Sequence, residues 1–253
     1  MMTERLDCAL TARGFCATRS KAQTIISEGF VCVNGTVCMK ASRKVSDSDS
    51  ITVTGSLPFV GRGGYKLRYA LAEFGISVTG LHCLDIGAST GGFTDCLLQN
   101  GAAFVLAADV GHGQLAEELR NDPRVKSMEG TDIRALSPTT EGLPADFAVC
   151  DVSFISLTQV LPSIPPLLKP DGTAVVLVKP QFEAGRAAIG KNGIVRDPKV
   201  HRQVLQAVRS AASLAGFSIC AECESPIKGG SGNTEFLLHL ALGMLNNSKE
   251  VPV

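Results

Sequence analysis

From residue 82 onward the apolar positions fall into short runs separated by stretches where they recur every three or four residues. His82 to Ile86 and Ala103 to Asp109 are runs of the length and content of buried strands, and Val125 to Met128, Asp146 to Asp151 and Ala174 to Lys179 read as three further strands. Ser218 to Cys223 and Phe236 to Ala241 add two more. Between them, Leu97 and Leu98 follow a turn that Thr90 or Thr94 is placed to cap, and Val200 to Ala215 has amphipathic helix spacing. S-F-I-S-L at Ser153 to Leu157 opens a helix that Pro162 interrupts. Ahead of the first run, Leu67, Ala70, Leu71 and Phe74 form one helical stripe. This alternation predicts an α/β domain, with a mostly parallel seven-stranded sheet and helices on both faces. A hairpin through Pro226 to Gly232 would make the last strand antiparallel.

The first sixty residues follow another pattern. Leu6, Ala9 and Leu10 have helix spacing, and Gly14 suits a stop. Thr18 or Ser20 can cap a second helix with Ala22, Ile25 and Ile26 on one side, ended by Gly29. Val31 to Val33 alternates into Asn34-Gly35, a strong hairpin signal, and Thr36 to Cys38 returns. A last strand at Ile51 to Val53 leads into a linker at Thr54 to Phe59. The chain is therefore divided into a small α+β module over 1–58 and the larger domain over 59–253.

Charge sharpens this division. Lys+Arg 24 balance Asp+Glu 24 over the 253 residues, so the whole chain offers no polyanion footprint. From Met1 to Leu71, however, ten basic residues face five acids. Arg13, Arg19 and Lys21 flank the turn between the two helices, and Lys40, Arg43 and Lys44 follow the hairpin. Such clusters suit phosphate contacts, with a solvated polar face as the plainer alternative. The nine cysteines lack paired metal spacing, so no metal site is expected; Cys220 and Cys223, in a strand-like run, read as buried thiols. Met1 to Asp7 is polar, with no apolar leader, and no apolar run approaches the about 20 residues of a membrane span. A soluble protein of the reducing cytoplasm is expected.

The chemistry centres on L-D-I-G-A-S-T-G-G-F at Leu84 to Phe93. Gly87, Gly91 and Gly92 allow a tight turn and close backbone approach to a ligand. Strand, glycine turn and helix make the first unit of a nucleotide-type domain, and Asp109, closing the next strand, suits ribose hydroxyls. Thr131 to Arg134 lies where an adenine would be met. Asp85, Asp109, Asp151 and Lys179 all close strands and so share the carboxyl edge of a parallel sheet, where ligands bind. Glu235 opens the last strand at that same edge, and Lys66 lies close enough in sequence to reach over it. The loop lacks the G-x-G-x-x-G of dinucleotide dehydrogenases, which disfavours a nicotinamide oxidoreductase.

R-L-D at Arg5 to Asp7, T-R-S-K-A at Thr18 to Ala22 and G-F-V-C-V-N-G at Gly29 to Gly35 resemble the small RNA-binding module named after ribosomal protein S-four, over roughly Thr3 to Val53. The resemblance implies structured RNA read by shape and backbone, with Arg5, Arg13, Arg19, Lys21, Lys40, Arg43, Lys44 and Arg62 as contacts. D-x-G-A-S-T-G-G-F resembles the S-adenosyl-L-methionine loop of FtsJ-type RNA 2′-O-methyltransferases, whose catalytic Lys, Asp, Lys, Glu order is matched by Lys66, Asp151, Lys179 and Glu235. Together with D-V-G-H-G-Q-L at Asp109 to Leu115 and S-P-I-K-G-G at Ser225 to Gly230, the pattern is similar to the TlyA family of ribosomal RNA methyltransferases.

That resemblance implies a Rossmann-like methyltransferase domain whose cofactor, S-adenosyl-L-methionine, is held by Asp85, Gly87, Ala88, Ser89, Thr90, Gly91, Gly92, Phe93, Asp109, Val110, Asp132 and Ile133. It implies methyl transfer to a ribose 2′-hydroxyl, of cytidine, in ribosomal RNA or ribosomal subunits. Lys179 would serve that hydroxyl as a base if neutral or as stabiliser of the alkoxide if charged, with Asp151 and Glu235 orienting the lysines. His112, Gly61 and Asp132 depart from the family pattern, which has Tyr, Ser and Asn there. The other readings are a ribosome-assembly protein that binds RNA without catalysis, and a membrane-active haemolysin, an activity historically tied to this family. No run is long or amphipathic enough to favour the haemolysin.

Overall fold

The computed structural model describes residues 3–243 apart from Ser56 and Gly230, without the side chains of Ala187 and Lys191. Gly230, which ends the S-P-I-K-G-G run and belongs to the expected hairpin, and Ser56 in the expected linker lie outside the described residues. The chain forms two compact units, Met1–Pro58 and Phe59–Val253.

In the smaller unit, β1 (Glu4–Arg5) runs into α1 (Leu6–Ala12), followed by α2 (Arg19–Ser27), β2 (Val31–Val33), β3 (Thr36–Val37), β4 (Lys44–Val45) and β5 (Ile51–Val53). The Thr18 side chain accepts from the Lys21 amide and caps α2, one of the two caps foreseen. Asn34 and Gly35 both have positive φ, as a two-residue hairpin needs. β2 pairs with β3 and β5, while β1 pairs with β4, a pairing too short to leave a periodic signal. Leu6, Leu10, Ile25, Ile26, Val31 and Val33 fill the core.

The larger unit opens with α3 (Gly63–Glu73) and then alternates: β6 (His82–Ile86), α4 (Gly92–Gln99), β7 (Phe104–Asp109), α5 (Glu117–Arg120), β8 (Val125–Glu129), β9 (Ala145–Cys150), α6 (Leu157–Val160), β10 (Leu168–Val178), α7 (Pro180–Glu183), α8 (Pro198–Leu214), β11 (Phe217–Glu224) and β12 (Phe236–Leu242). The seven strands order as β11-β12-β10-β9-β6-β7-β8. β10, β9, β6, β7 and β8 are mutually parallel, and β12 is antiparallel to both of its neighbours. Apolar side chains cover both faces. Leu84, Ile86, Leu106 and Val176 meet α8 through Leu205 and Val208, whereas Val105, Phe147 and Val149 meet α3 and α4 through Leu67 and Leu97. Strand alternation therefore turns Asp85 away from Leu84 and Ile86, toward the α4 side.

Three local expectations need correction. Neither Thr90 nor Thr94 caps α4: its cap is Gly91 at φ +95°, and Thr94 is buried in the first turn with its hydroxyl on Asp85. The helix expected after Ser153 is a single turn, because Pro162, Pro165 and Pro166 remove backbone donors and leave two 3-10 turns. Cys220 is exposed and Cys223 half-buried, since β11 is an edge strand whose outer residues face solvent.

Candidate active site

The carboxyl ends of the parallel strands carry the site. Gly87, at φ +83°, turns the chain out of β6, and its amide donates to the Ala108 carbonyl at 2.8 Å. A Cβ on Gly87 would lie 2.6 Å from the Asp151 carbonyl oxygen, and one on Gly91 would collide with Leu119 Cδ1. Only glycine fits either turn. Asp109 closes β7, with Oδ2 accepting from the Ser89 amide at 2.8 Å and Oδ1 from the Gly111 amide at 2.7 Å. The carboxylate thereby ties the glycine turn to the next loop.

A cavity of about 420 Å³ opens between these loops, lined among others by Gly87, Ser89, Asp109, Val110, Asp132 and Ile133. A second, of about 180 Å³, is bordered by Ala88, Thr90, Gly92, Phe93, Asp151 and Lys179. Of the expected cofactor residues only Asp85 and Gly91 border neither. Asp85 is wholly buried: Thr94 Oγ1 donates to its Oδ2 at 2.7 Å, while Oδ1 has no hydrogen-bond donor among the described residues. Burial lifts its carboxyl to about 7, against the Thr94 hydrogen bond and with help from the nearby Asp151 charge. Asp132 is spoken for in another way. Its oxygens take the Arg134 guanidinium at 2.5 Å and the Arg134 amide at 2.9 Å, contacts that hold it down at about 2.

The four expected catalytic side chains meet as two ion pairs. Lys66, buried on α3, places Nζ 2.6 Å from Glu235 Oε2. Lys179 pairs with Asp151 and donates to Ser153 Oγ at 2.8 Å. Backbone register explains the meeting. Asp151 donates its amide to the Ile86 carbonyl at 2.9 Å, and Val178 faces Phe236 across β10 and β12. One step beyond that last pair, Lys179 and Glu235 stand on facing strand ends.

Residues outside the sequence-based set complete the rim. Ser153 holds Lys179, and the D-V-S-F run carried that signal. Gln114 takes the Ser89 hydroxyl at 3.2 Å, and Glu129 Oε1 accepts the Gln114 and Leu115 amides at 2.5 and 3.1 Å. Nothing in the spacing marked Glu129. The three departures have physical settings too. A Cβ at Gly61 would meet Thr90 Oγ1 at 2.7 Å, and one at Gly130 would meet His112 Nε2 at 2.5 Å.

Among the expected RNA contacts, Arg5 and Arg19 are both bound to the buried Asp7, each with Nε at 2.9 Å. Their hydrogen bonds, led by that of Arg5, hold the Asp7 carboxyl well below the usual range. Arg13 donates to the Ser46 and Asp49 carbonyls at 2.9 and 3.2 Å. Arg62 donates to the Lys228 carbonyl at 2.8 Å. Lys21, Lys40 and Lys44 remain exposed, and Arg43 half-exposed.

A parallel sheet with a glycine cradle at its carboxyl edge and an antiparallel last strand defines a methyltransferase fold. Residues 59–242 match the FtsJ-like methyltransferase model and residues 4–51 the S4 domain, so the chain belongs to the FtsJ-like methyltransferases and carries an S4 domain. It is 46% identical over 239 residues to the 16S/23S rRNA (cytidine-2'-O)-methyltransferase TlyA of Mycobacterium tuberculosis, covering 93% of this chain and 89% of that protein. Hemolysin A of Brachyspira hyodysenteriae is 45% identical over 240 residues, 94% of this chain and 100% of its own. A solved hemolysin-named protein of Streptococcus thermophilus superposes with a TM-score of 0.75 at 47% identity, over 96% of this chain and 89% of that one. Among the described residues no helix is long and apolar enough to cross a membrane.

Proposed function

We propose that the protein is a cytoplasmic S-adenosylmethionine-dependent methyltransferase that methylates the 2′-hydroxyl of a cytidine in ribosomal RNA. The observation that carries this reading is the pairing of Lys179 with Asp151 and of Lys66 with Glu235 at the sheet edge beside the glycine cradle. The cradle fits the cofactor: its turns exclude a Cβ, Asp109 presents a carboxylate for ribose hydroxyls, and Asp85 retains one buried acceptor without a donor. Gly87, Ser89, Asp109 and Ile133 would hold it. When bound, S-adenosylmethionine supplies a methyl group on a sulfonium.

The protein's own work is positioning and charge. Lys179 Nζ is fixed between the Asp151 carboxylate and Ser153 Oγ, where an ammonium stabilises negative charge developing on the ribose oxygen as the hydroxyl proton is lost to water. Lys66, reaching from α3, and Glu235, just before β12, form a buried, neutralised pair at the adjacent position of the edge. Orientation of this kind supplies several kcal/mol without further chemistry. The test is incubation of ribosomal subunits with methyl-labelled cofactor, then digestion to nucleosides. Label in 2′-O-methylcytidine is expected; bound cofactor with no label in any 2′-O-methyl nucleoside refutes the reading.

A further inference from the structure

The segment from Arg186 to Arg202 carries five basic residues against a single acid. That acid, Asp197, is occupied in capping α8, where its Oδ1 accepts the Lys199 amide at 2.8 Å. Elsewhere in the catalytic unit, every described lysine and arginine has a partner. Arg124, Lys126, Lys169, Arg209 and Lys228 each meet a carboxylate, Arg68 stacks over Phe59 and Tyr65, and Arg62 holds a carbonyl. Arg186, Arg196, Lys199 and Arg202 are exposed and meet no acid among the described residues. Among the described residues of the catalytic unit, unneutralised cations are thus gathered into one stretch.

That stretch is fastened to the catalytic rim. Asn233, fully buried and two residues before Glu235, accepts the Val195 amide at 2.9 Å and donates to the Gly193 carbonyl at 3.0 Å. His201 Nε2 lies 3.0 Å from the Val195 carbonyl oxygen. At its other end the stretch starts seven residues after Lys179. The rim itself offers no such free cation among the described residues: Asp109, Glu129, Asp132 and Asp151 lie at or just past strand ends, and Arg120, Arg134, Lys66 and Lys179 beside them are each tied to a carboxylate.

From this we propose that Arg186, Arg196, Lys199 and Arg202 form a second RNA-contact surface, on the catalytic unit itself. It binds the phosphates of nucleotides flanking the target ribose and holds that ribose against the catalytic rim. The inference rests on the RNA-methylating reading above and adds where on the catalytic unit the substrate backbone lies. Phosphate contacts set position rather than sequence preference, so this surface acts on how RNA is held.

The test uses the full chain with Arg186→Gln, Arg196→Gln and Arg202→Gln combined, and a control with Arg124→Gln and Lys126→Gln, whose charges already have acid partners. The triple variant is expected to raise the KM for ribosomal RNA by about tenfold or more at 0.1 M salt. Its salt dependence of binding should flatten by roughly 2 in log–log slope, about 0.7–0.9 for each phosphate no longer neutralised. Cofactor affinity and turnover at saturating RNA should stay within about twofold. An unchanged KM and slope in an active triple variant overturns the surface, and so does an equal loss in the control pair. A wild-type protein that methylates no RNA overturns the catalytic reading instead.

Discussion

At the scale of single residues, the most consequential contact is that of Lys179 with Asp151 and Ser153. Lys179→Ala removes the cation proposed to face the reacting oxygen and leaves the walls of the larger cavity in place. Transfer should fall by about 10²–10³ or more, the size seen when a charge-stabilising donor is removed. Cofactor binding, followed by calorimetry, should hold within a few-fold; retained turnover would remove Lys179 from its role. Asp85 makes a separate prediction. Unfolded, its carboxyl ionises near 3.9, and folded near 7. Between those values the folded protein keeps a proton the unfolded chain has lost, so stability declines as pH rises, and above about 7 the full cost of a buried charge is present. Asp85→Asn cannot ionise. Urea unfolding at a series of pH values should show the variant gaining on wild type by roughly 2–4 kcal/mol from pH 4 to 8; a constant difference contradicts this. Asp151, Lys179 and Glu235 could be singled out from the sequence because each sits beside an apolar run that fixes its edge of the sheet, whereas Lys66, on α3, was marked by its R-G-G-Y-K-L run and its order with the other three. Glu129 and Asn233 could not, because their importance lies in backbone groups that only the folded loops bring within reach.

At the scale of elements, the glycine turn joins two sites that the sequence presents separately. Gly87 leaves β6 with a positive φ, and its α-carbon packs against the Asp151 carbonyl at the end of β9. Gly87→Ala therefore does more than strain one residue by the 1–2 kcal/mol of a left-handed conformation. The new Cβ, 2.6 Å from a backbone oxygen, must displace the segment that aims Asp151 at Lys179. Transfer is expected to fall further than cofactor affinity does, read by labelled-methyl assay against calorimetry. Equal losses in the two would mean that the turn serves the cofactor alone. Strand order and direction were legible because apolar runs alternate with helical spacing. The break of α6 into 3-10 turns was legible only in part: the prolines mark an interruption, but how much helix survives between them depends on packing against α8. Thr94 shows the same limit. Its spacing suited a cap, yet the buried carboxylate of Asp85 is a better acceptor for its hydroxyl than the helix end is a donor for it.

At the scale of the whole molecule, charge separates what holds a unit together from what faces a partner. Whole-chain neutrality conceals this, and so does a count of basic residues by region. In the S4 domain, Arg5 and Arg19 converge on one fully buried carboxylate, Asp7, which Gln23 also reaches at 2.7 Å. Leaving that acid unpaired would cost several kcal/mol, so these arginines serve the fold first. Lys21, Lys40 and Lys44 carry no such duty and stand exposed. Two kinds of variant should therefore diverge. Lys40→Glu with Lys44→Glu should leave thermal unfolding of the S4 domain within about a degree or two, because exposed charges contribute little to stability. It should weaken ribosomal RNA binding at least tenfold at low salt, with a shallower salt dependence. Arg19→Ala should instead lower the unfolding midpoint, and its loss of RNA binding should follow the loss of folded protein. Filter binding set beside calorimetric melting separates the two; RNA affinity that falls in step with stability for both variants would assign the exposed lysines, too, to the fold rather than to RNA.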